Sequence, residues 1–295
     1  MESPRILFRS SDQLSAKKIF ETYRNRATKR FGQNFLFDPN INRKIVSSAG
    51  DLSGKVVMEV GPGPGGLSLE ILKQPVKKLY VVEIDRRWAE VWRTLSGLFD
   101  GKLEVIEEDA LRFQEEKIAP QVIISNLPYN ISTVLLTKWL ENFERFEKLV
   151  LMFQKEVAER LYAKPSTKSY GRLSVLTQWK SEVEKVFDLD PGSFTPPPKV
   201  RSTVVRFFPK RTDEKDAGYE LFSSVLKDAF LHRRKLLANT LQKYSENIGE
   251  ILQNLGYSKS VRAEEISVED FRKLVENLQI RNVISYKRLK IVELN

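Results

Sequence analysis

A glycine-rich segment after an apolar run is the feature that most constrains the fold of this chain. Residues 56–60 read Val-Val-Met-Glu-Val, and the six residues from Gly61 to Gly66 include four glycines. A short run of this kind is typical of a buried strand. Glycines at its end allow a tight turn and a close approach of the backbone to a ligand. The segment therefore predicts a strand, a ligand-binding turn and a helix that begins near Leu67.

Strand-like and helix-like stretches alternate after this point. Amphipathic stretches lie between most of the apolar runs, and this order predicts an α/β fold with a doubly wound, mostly parallel sheet. Two later β-rich runs, Val183–Leu189 and Ser202–Phe208, are predicted to form an antiparallel hairpin at one sheet edge. The predicted helices are Arg86–Leu98, Thr133–Phe143 and Lys155–Tyr162, and the predicted strands are Val56–Val60, Leu79–Ile84, Leu103–Ile106, Val122–Ser125, Leu149–Phe153 and Leu173–Trp179.

The pattern changes to helical spacing beyond the polar segment 210–218, which predicts a second, smaller, all-helical domain. Its predicted helices are Tyr219–Leu231, Arg234–Tyr244, Ile248–Leu255 and Val268–Leu278. We therefore expect a basic amino-terminal extension, a larger ligand-binding domain, a helical domain and a basic tail, with the respective bounds 1–25, 26–211, 212–280 and 281–295.

Residue usage excludes several kinds of chemistry. The 295 residues include no cysteine, which excludes thiolate nucleophiles and cysteine-bound zinc or iron–sulfur clusters. A covalent cytosine C5 methyltransferase is excluded with them. His232 is the single histidine and argues against a histidine-based metal site, so we expect no metal. No apolar stretch approaches the roughly 20 residues of a membrane span, and the first ten residues do not resemble a signal peptide. We expect a cytoplasmic protein that does not bind membranes.

A formal net charge of +10 favours a polyanionic partner, because a basic surface gains affinity by releasing counterions from phosphates. The alternative is a basic but otherwise neutral solvated surface. The basic residues are clustered, which favours nucleic acid. The clusters comprise Lys17, Lys18, Arg24, Arg26, Lys29 and Arg30, then Arg233, Arg234 and Lys235, and finally Arg281, Lys287, Arg288 and Lys290.

The glycine-rich turn alone does not identify its cofactor, since it also satisfies the G-x-G-x-x-G pattern of dinucleotide-binding folds. Two details favour a different ligand. Pro62 and Pro64 have no backbone N–H to offer to a pyrophosphate. Glu59 suits the positive sulfonium or ammonium group of S-adenosylmethionine better than it suits a phosphate.

Two further acidic residues follow predicted strands. Glu83 comes about 20 residues after the glycines, where a carboxylate can accept hydrogen bonds from both ribose hydroxyls. Asp109 follows the third strand and could accept a hydrogen bond from the amino group of the cofactor adenine. The carboxyl ends of parallel strands border one crevice, so we expect Glu59, Glu83 and Asp109 to lie around the same ligand.

The segment Asn126-Leu127-Pro128-Tyr129 follows the fourth predicted strand. The amino nitrogen of adenine is a poor nucleophile because its lone pair is delocalised into the ring. The Asn126 carboxamide oxygen and the Leu127 carbonyl are suitable acceptors for its two N–H groups, Pro128 fixes the turn, and Tyr129 can stack on the base. The segment therefore predicts methylation of an exocyclic amine.

From Arg26 to Leu278 the sequence resembles the ribosomal RNA adenine dimethyltransferases, which include the KsgA enzymes and the Erm resistance methyltransferases. That resemblance implies a Rossmann-like class I methyltransferase fold with a seven-stranded sheet. It rests on Phe31-Gly-Gln33-Asn34-Phe-Leu36, Glu59-Val-Gly61-Pro-Gly63, Glu83-Ile-Asp85, Asp109-Ala110, Asn126-Leu-Pro-Tyr129, Phe153-Gln154-Lys155-Glu156 and Phe194-Thr-Pro196-Pro-Pro-Lys199-Val200-Arg-Ser202.

The resemblance also implies residue roles. The segment from Gln33 to Leu36 is expected to close over the cofactor, and Phe194 to hold the target base opposite Tyr129. Without the resemblance, Phe194 would be interpreted as a core residue. The expected cofactor-binding residues are Gln33, Asn34, Leu36, Glu59, Gly61, Gly63, Glu83, Ile84, Asp109, Ala110 and Asn126, and the expected catalytic residues are Asn126, Leu127, Pro128, Tyr129 and Phe194.

Within the family, the segments that begin at Phe194 and Phe230 resemble the KsgA type more than the Erm type. This implies dimethylation of two adjacent adenosines in the 3′-terminal hairpin loop of 16S rRNA in the assembling 30S subunit, by a monomer. Erm-type methylation of 23S rRNA, a non-catalytic ribosome assembly factor and, more weakly, methylation of DNA adenine are the alternatives. The expected RNA-binding residues are Arg233, Arg234, Lys235 and Lys199.

The chain departs from the family pattern at both ends. Its extension through Arg26 is longer than the usual lead into the Phe-Gly-Gln-Asn motif, and residues 281–295 add a basic tail. We expect neither segment to contact the chemistry.

Overall fold

The computed structural model describes residues 8–23, 32–210, 218–232 and 235–278. The chain divides into two compact units. Unit 1 comprises Met1–Ala158 and Glu182–Pro209, and unit 2 comprises Glu159–Ser181 and Lys210–Asn295. Within the described ranges, no helix is both long enough and apolar enough to cross a membrane.

Unit 1 is built around a seven-stranded sheet. Its strands are β2 Val56–Val60, β3 Lys78–Glu83, β4 Leu103–Glu107, β5 Val122–Ser125, β6 Lys148–Gln154, β7 Ser181–Leu189 and β9 Ser202–Pro209. They lie in the order β4-β3-β2-β5-β6-β9-β7. The strands from β4 to β6 in this order are parallel, and β9 pairs antiparallel with β6. The α/β fold with a mostly parallel sheet is therefore confirmed.

The central strands are buried on both faces of the sheet, which explains why they are apolar at nearly every position. Val57, Met58 and Ile123 are fully buried, although neighbouring residues in a strand point to opposite faces. Asp38 and Asp85 cap the second and fourth helices by accepting hydrogen bonds from backbone N–H groups. The helices of this part of the chain are α1 Ala16–Tyr23, α2 Pro39–Ser47, α3 Gly66–Leu72, α4 Arg86–Ser96, α5 Tyr129–Glu141 and α6 Lys155–Leu161.

A second, two-stranded sheet joins distant parts of unit 1. Strand β1 (Phe35–Leu36) pairs antiparallel with β8 (Phe194–Thr195), and Leu36 lies opposite Phe194. All of these residues except Thr195 are buried. The pairing thus fixes the chain that precedes α2 against the loop that connects β7 and β9.

The predicted strand over Leu173–Trp179 is wrong, because these residues belong to helix α7 (Arg172–Lys180). Ser174, Val175, Leu176, Thr177 and Trp179 are all buried. A helix that is buried around most of its circumference lacks the amphipathic period that distinguishes a helix from a buried strand. The short apolar run in the sequence was therefore compatible with either a buried helix or a buried strand.

Unit 2 contains α7 and the later helices α8 (Tyr219–Leu231), α9 (Leu237–Thr240), α10 (Ile248–Asn254) and α11 (268–278). The predicted helix Arg234–Tyr244 is much shorter in the structure, since only the four residues of α9 are helical among the described residues 235–244. In the core of the unit, the rings of Trp179 and Phe222 stack with centroids 3.9 Å apart. Residues 159–181 thus group with the helices, whereas the sequence suggested a boundary near residue 212.

Candidate active site

The candidate active site is a cavity of about 290 Å³ at the carboxyl ends of β2, β3, β4 and β5. Strands β3 and β4 follow β2 on one side of it in the sheet, whereas β5 and β6 lie on its other side. Ligands of open α/β sheets bind where the strand order reverses in this way. The volume lies near the lower end of the range for ligand pockets, about 300–1,000 Å³.

Most of the residues predicted from the sequence come together around this cavity. They reach it from four neighbouring strand ends and from the segment that precedes α2. The predicted residues that line it are Gln33, Asn34, Leu36, Glu59, Gly61, Gly63, Glu83, Ile84, Asp109, Ala110, Asn126, Leu127, Pro128 and Tyr129.

The glycine-rich turn is shaped by protein packing as well as by the cavity. Gly65 has φ +90°, and a Cβ at this position would overlap the indole ring of Trp92. A Cβ on Gly63 would lie 2.8 Å from the ring of Phe35. By contrast, a Cβ on Gly61 would have only one neighbour within 4 Å, at 4.0 Å. Only the first glycine therefore leaves open space for a ligand.

Two carboxylates are buried in the cavity wall. Ser68 Oγ donates a hydrogen bond to Glu59 Oε2 over 2.6 Å, and burial raises the pKa of Glu59 to about 8. Glu83 accepts hydrogen bonds from the backbone N–H groups of Asp85, at 2.8 Å, and Gly63, at 3.4 Å. Burial raises the pKa of Glu83 to about 7. Arg87 Nη2 forms an ion pair with Asp85 over 2.6 Å, and the charge of Arg87 also acts on Glu83.

The third acidic residue is more exposed. Asp109 Oδ1 accepts a hydrogen bond from the backbone N–H of Leu111 over 2.9 Å, which orients the carboxylate at the end of β4. The side chain of Ile84 is 49% exposed in a cavity wall and offers a flat apolar surface. Lys138 Nζ donates to the carbonyl of Ala110 over 3.1 Å and so fixes the backbone beside Asp109.

The segment from Gly32 to Phe37, which we call the strap, provides another wall of the cavity through its first five residues. Gln33 Nε2 donates a hydrogen bond to Asp85 Oδ2 over 3.2 Å, so its amide binds the turn after β3. Asn42 Nδ2 donates to the carbonyl of Leu36 over 3.1 Å. These contacts, together with the pairing of β1 and β8, fix the strap at several points.

Asn126 connects the strap to the end of β5. Its Nδ2 donates a hydrogen bond to the carbonyl of Asn34 over 2.9 Å, which orients the carboxamide. Within the described residues no donor contacts its Oδ1, which leaves this oxygen as an acceptor in the cavity wall. The adjacent Leu127 side chain is buried and anchors the backbone whose carbonyl is the second predicted acceptor.

Tyr129 is the first residue of α5, directly after Pro128. The carbonyl of Pro128 accepts hydrogen bonds from the N–H groups of Ile131 and Ser132, both over 3.1 Å, so the helix starts at this turn. The Tyr129 hydroxyl is hydrogen-bonded to Ser202 Oγ. Burial raises the pKa of Tyr129 above its ordinary value, so the phenol stays protonated.

Phe194 does not line the cavity in this structure. It is 3% exposed and belongs to the hydrophobic core, because the pairing of β8 with β1 turns it toward the protein interior. Its role as the second ring around the base stays a prediction. Lys199 and Lys235 are exposed, as an RNA contact requires, and Arg233 and Arg234 lie outside the described residues.

Several residues of the site were not predicted from the sequence. Asn130 and Ile131 follow the Asn-Leu-Pro-Tyr segment directly, so the first turn of a predicted helix could have included them. Ser202, which does not line the cavity but is hydrogen-bonded to Tyr129, had a signal only as the last residue of a family motif. Asn42 had none, because its contact with the strap depends on how α2 packs.

The residues around the cavity fit S-adenosylmethionine. Glu59 and Glu83 are two buried acidic side chains in the cavity wall, and the ligand carries a sulfonium and an ammonium group. Ile84 offers an apolar surface for a purine ring, and Asp109 offers an acceptor beside it. Because Pro62 and Pro64 remove two N–H donors from the turn, the wall does not suit a pyrophosphate.

Most of the chain matches a known protein family. The family model described as ribosomal RNA adenine dimethylase matches residues 24–279. The chain is 42% identical over 260 residues to Ribosomal RNA small subunit methyltransferase A of Rhodospirillum rubrum, which covers 88% of this chain and 90% of that protein. The protein of the same name from Anaplasma marginale is 44% identical over 262 residues, covering 88% and 97%.

Solved structures show the same fold. A dimethyladenosine transferase from Plasmodium falciparum superposes with a TM-score of 0.72 at 29% identity, covering 84% of this chain and 98% of that one. The 23S rRNA methyltransferase ErmE has a TM-score of 0.62 at 24% identity, covering 83% and 100%, and at this identity the likeness concerns the fold alone. The chain belongs to the ribosomal RNA adenine dimethylase family, whose members use S-adenosylmethionine as the methyl donor.

Proposed function

We propose that this chain dimethylates the 6-amino groups of two adjacent adenosines in the 3′-terminal hairpin loop of small-subunit rRNA while the subunit assembles. The observation that carries the proposal is the orientation of Asn126. Its amide nitrogen donates a hydrogen bond to the Asn34 carbonyl, so its oxygen is the acceptor that it offers to a substrate. Two acceptors, this oxygen and the Leu127 carbonyl, match the two hydrogens of an adenine amino group.

The remaining wall residues have roles that follow from their chemistry. The ring of Tyr129 replaces part of the stacking that an adenine loses when it leaves its helix. Hydrogen bonds to Asn126 and Leu127 hold the amine so that its lone pair is directed into the cavity. Neither Asn126 nor the protonated phenol of Tyr129 is a base at neutral pH, so the amine proton passes to water after transfer.

The cofactor-binding residues lie on the other side of the same cavity. We assign Glu83 to the ribose hydroxyls, Asp109 to the adenine amino group and Glu59 to the positively charged end of the molecule. Ile84 and the strap enclose the cofactor and exclude water. When bound, S-adenosylmethionine supplies an electrophilic methyl group that needs no further activation.

The choice of small-subunit rRNA is supported by the names of relatives that are 42–44% identical over most of their length. The net charge of +10 supports an RNA partner. We assign residues 26–211 to cofactor binding and methyl transfer, and residues 212–280 to RNA binding. The proposed phosphate contacts are Arg233, Arg234 and Lys235 in the second range, and Lys199 in the first. The proposal includes a cytoplasmic monomer that acts on the assembling 30S subunit.

The test is methyl transfer to purified ribosomal subunits from cells that lack dimethyladenosine in small-subunit rRNA. The full chain is incubated with methyl-labelled S-adenosylmethionine and either 30S or 50S particles, and the rRNA is digested and analysed by mass spectrometry. Asn126→Ala serves as the inactive control. We expect dimethyladenosine at two adjacent positions of 16S rRNA with the wild-type chain only.

Other outcomes would overturn the proposal. Label in 23S rRNA would assign the chain to the Erm type of reaction. Binding to 30S particles without any label would indicate a non-catalytic assembly factor, and label in DNA alone would indicate a different substrate class.

A further inference from the structure

Helix α1 (Ala16–Tyr23) lies in the amino-terminal extension, before the residues that the family model matches. The extension was predicted to be a basic appendage that does not contact the chemistry. In the structure α1 is amphipathic, and Ala16 and Ile19 on its apolar face are buried. Ile19 is fully buried and belongs to the same hydrophobic core as the central strands. The helix is therefore packed onto unit 1.

The aromatic side chain of Phe20 joins α1 to the strap. Its ring contacts Phe35 in an edge-to-face arrangement, with centroids 5.9 Å apart, and contacts Phe37 in the same way at 5.3 Å. Pairs of this geometry contribute about 0.5–1.5 kcal/mol beyond their buried area. Two of the six strap residues thus depend on Phe20 for part of their packing.

Phe35 carries this contact to the cavity. It lines the cavity wall and lies edge-to-face against Trp88, with centroids 5.7 Å apart. Its ring also occupies the space next to Gly63, where a Cβ would lie only 2.8 Å away. A displacement of Phe35 would therefore change both the strap and the glycine-rich turn.

We propose that α1 is a positioning element of the cofactor site, which holds the strap in its binding conformation through Phe20. The inference rests on cofactor binding at the proposed site. Helix α1 precedes the residues that the family model matches, so the inference assigns to the extension a role in S-adenosylmethionine affinity. Because coupling between two sites is reciprocal, cofactor binding must in turn stabilise α1.

The exposed face of the same helix suggests RNA binding as an alternative role, and the experiment distinguishes this role from positioning of the strap. Lys17 and Lys18 are exposed, so α1 could instead contact RNA phosphates. An RNA contact would change the affinity for the ribosomal particle and leave the affinity for the cofactor unaltered. The Phe20 ring contacts Phe35, which lines the cofactor cavity, and this is why we favour positioning.

The experiment measures the dissociation constant of S-adenosylmethionine by isothermal titration calorimetry with the full chain. Phe20→Ala removes the contacts with the strap, and Phe20→Leu is a milder substitution. Phe146→Ala is the matched control, since Phe146 is buried in an aromatic pair at the amino end of β6, away from the cavity. Phe20→Ala should weaken binding by about five- to tenfold. Phe146→Ala should lower thermal stability without weakening the binding of S-adenosylmethionine.

Hydrogen exchange provides the second measurement. Adding S-adenosylhomocysteine to the wild-type chain should slow amide exchange in residues 16–23, and this protection should be reduced in Phe20→Leu. Unaltered cofactor affinity in both Phe20 variants, or exchange in α1 that does not respond to the ligand, would overturn the inference. A wild-type chain that binds neither ligand would instead refute the proposed function.

Discussion

The hydroxyl of Tyr129 lies 2.5 Å from the hydroxyl of Ser202, and this hydrogen bond joins the start of α5 to the start of β9. Ser202 is fully buried at the edge where β9 pairs with β6, so it provides a rigid partner. The phenol ring is consequently fixed at both ends, by the backbone turn at Pro128 and by this bond. A fixed ring presents a defined face to an incoming base.

Removing either hydroxyl should loosen the ring to the same extent. We expect Tyr129→Phe and Ser202→Ala each to lower kcat on 30S particles by about two- to tenfold, since a hydrogen bond contributes about 0.5–1.5 kcal/mol. The double variant should lose no more than either single variant, because both remove one bond. Single-turnover methylation measures the effect, and single losses that multiply in the double variant would show that the two residues act independently.

The Asn126 carboxamide should matter more for transfer than for binding. Asn126→Ala removes an acceptor that is oriented for the reacting amine, and the loss of one such preorganised group costs about 10²–10³-fold in kcat. The dissociation constant of S-adenosylmethionine should change much less. Asn142→Ala, at the far end of α5, is the control and should keep full turnover. Equal losses in affinity and turnover would indicate that Asn126 mainly binds the cofactor.

Gly65 should not tolerate a side chain. Gly65→Ala forces a left-handed backbone on alanine, which costs about 1–2 kcal/mol, and it overlaps Trp92, which adds about 1–3 kcal/mol. We therefore expect the free energy of unfolding to fall by about 2–5 kcal/mol in urea titrations. Gly97→Ala is the control: Gly97 has φ −60° and no atom within 4 Å of its Cβ position, so this change should stabilise the protein by about 0.4–1 kcal/mol.

The buried carboxyls should make the cofactor-free protein less stable at alkaline pH. The pKa of Glu59 rises from 4.5 to about 8 on folding, and that of Glu83 from 4.5 to about 7. Between pH 4.5 and the raised pKa values, the two carboxyls are ionised in the unfolded chain and protonated in the folded chain. Their contribution to stability is therefore complete below pH 4.5 and is lost as the pH rises to about 8.

Urea unfolding at pH 5.5 and pH 8.5 measures this dependence. Glu59→Gln should be less sensitive to pH than the wild type, because glutamine does not titrate. Glu141→Gln, an exposed change on α5, should keep the wild-type dependence. A Glu59→Gln profile identical to that of the wild type would show that Glu59 ionises normally in the folded protein.

Local patterns were sufficient to predict most of unit 1. Its strands are short apolar runs, and its helices have amphipathic spacing, as in Arg86–Leu98, so each element carries its own signal. The sequence also predicted which residues meet at the cavity, since Glu59, Glu83 and Asn126 all lie at strand ends of one parallel sheet. The roles of these residues in binding and transfer stay predictions.

What could not be predicted depends on contacts between distant segments. Leu173–Trp179 resembles a strand because the helix that contains it is buried around most of its circumference. The position of Phe194 is set by the pairing of β8 with β1, more than 150 residues earlier in the chain. The contact of Phe20 with Phe35 and Phe37 also has no sequence signal, since an aromatic residue on a short helix does not indicate its partner.

The packing of α4 against the glycine-rich turn has a spectroscopic consequence. Trp92 Nε1 donates a hydrogen bond to the carbonyl of Gly63 over 2.8 Å, and Trp88 packs against Phe35. Two of the four indoles of the chain therefore touch groups that line the cavity. Their fluorescence reports on the environment of the turn and the strap, so ligand titrations can be followed by intrinsic emission without attaching a dye.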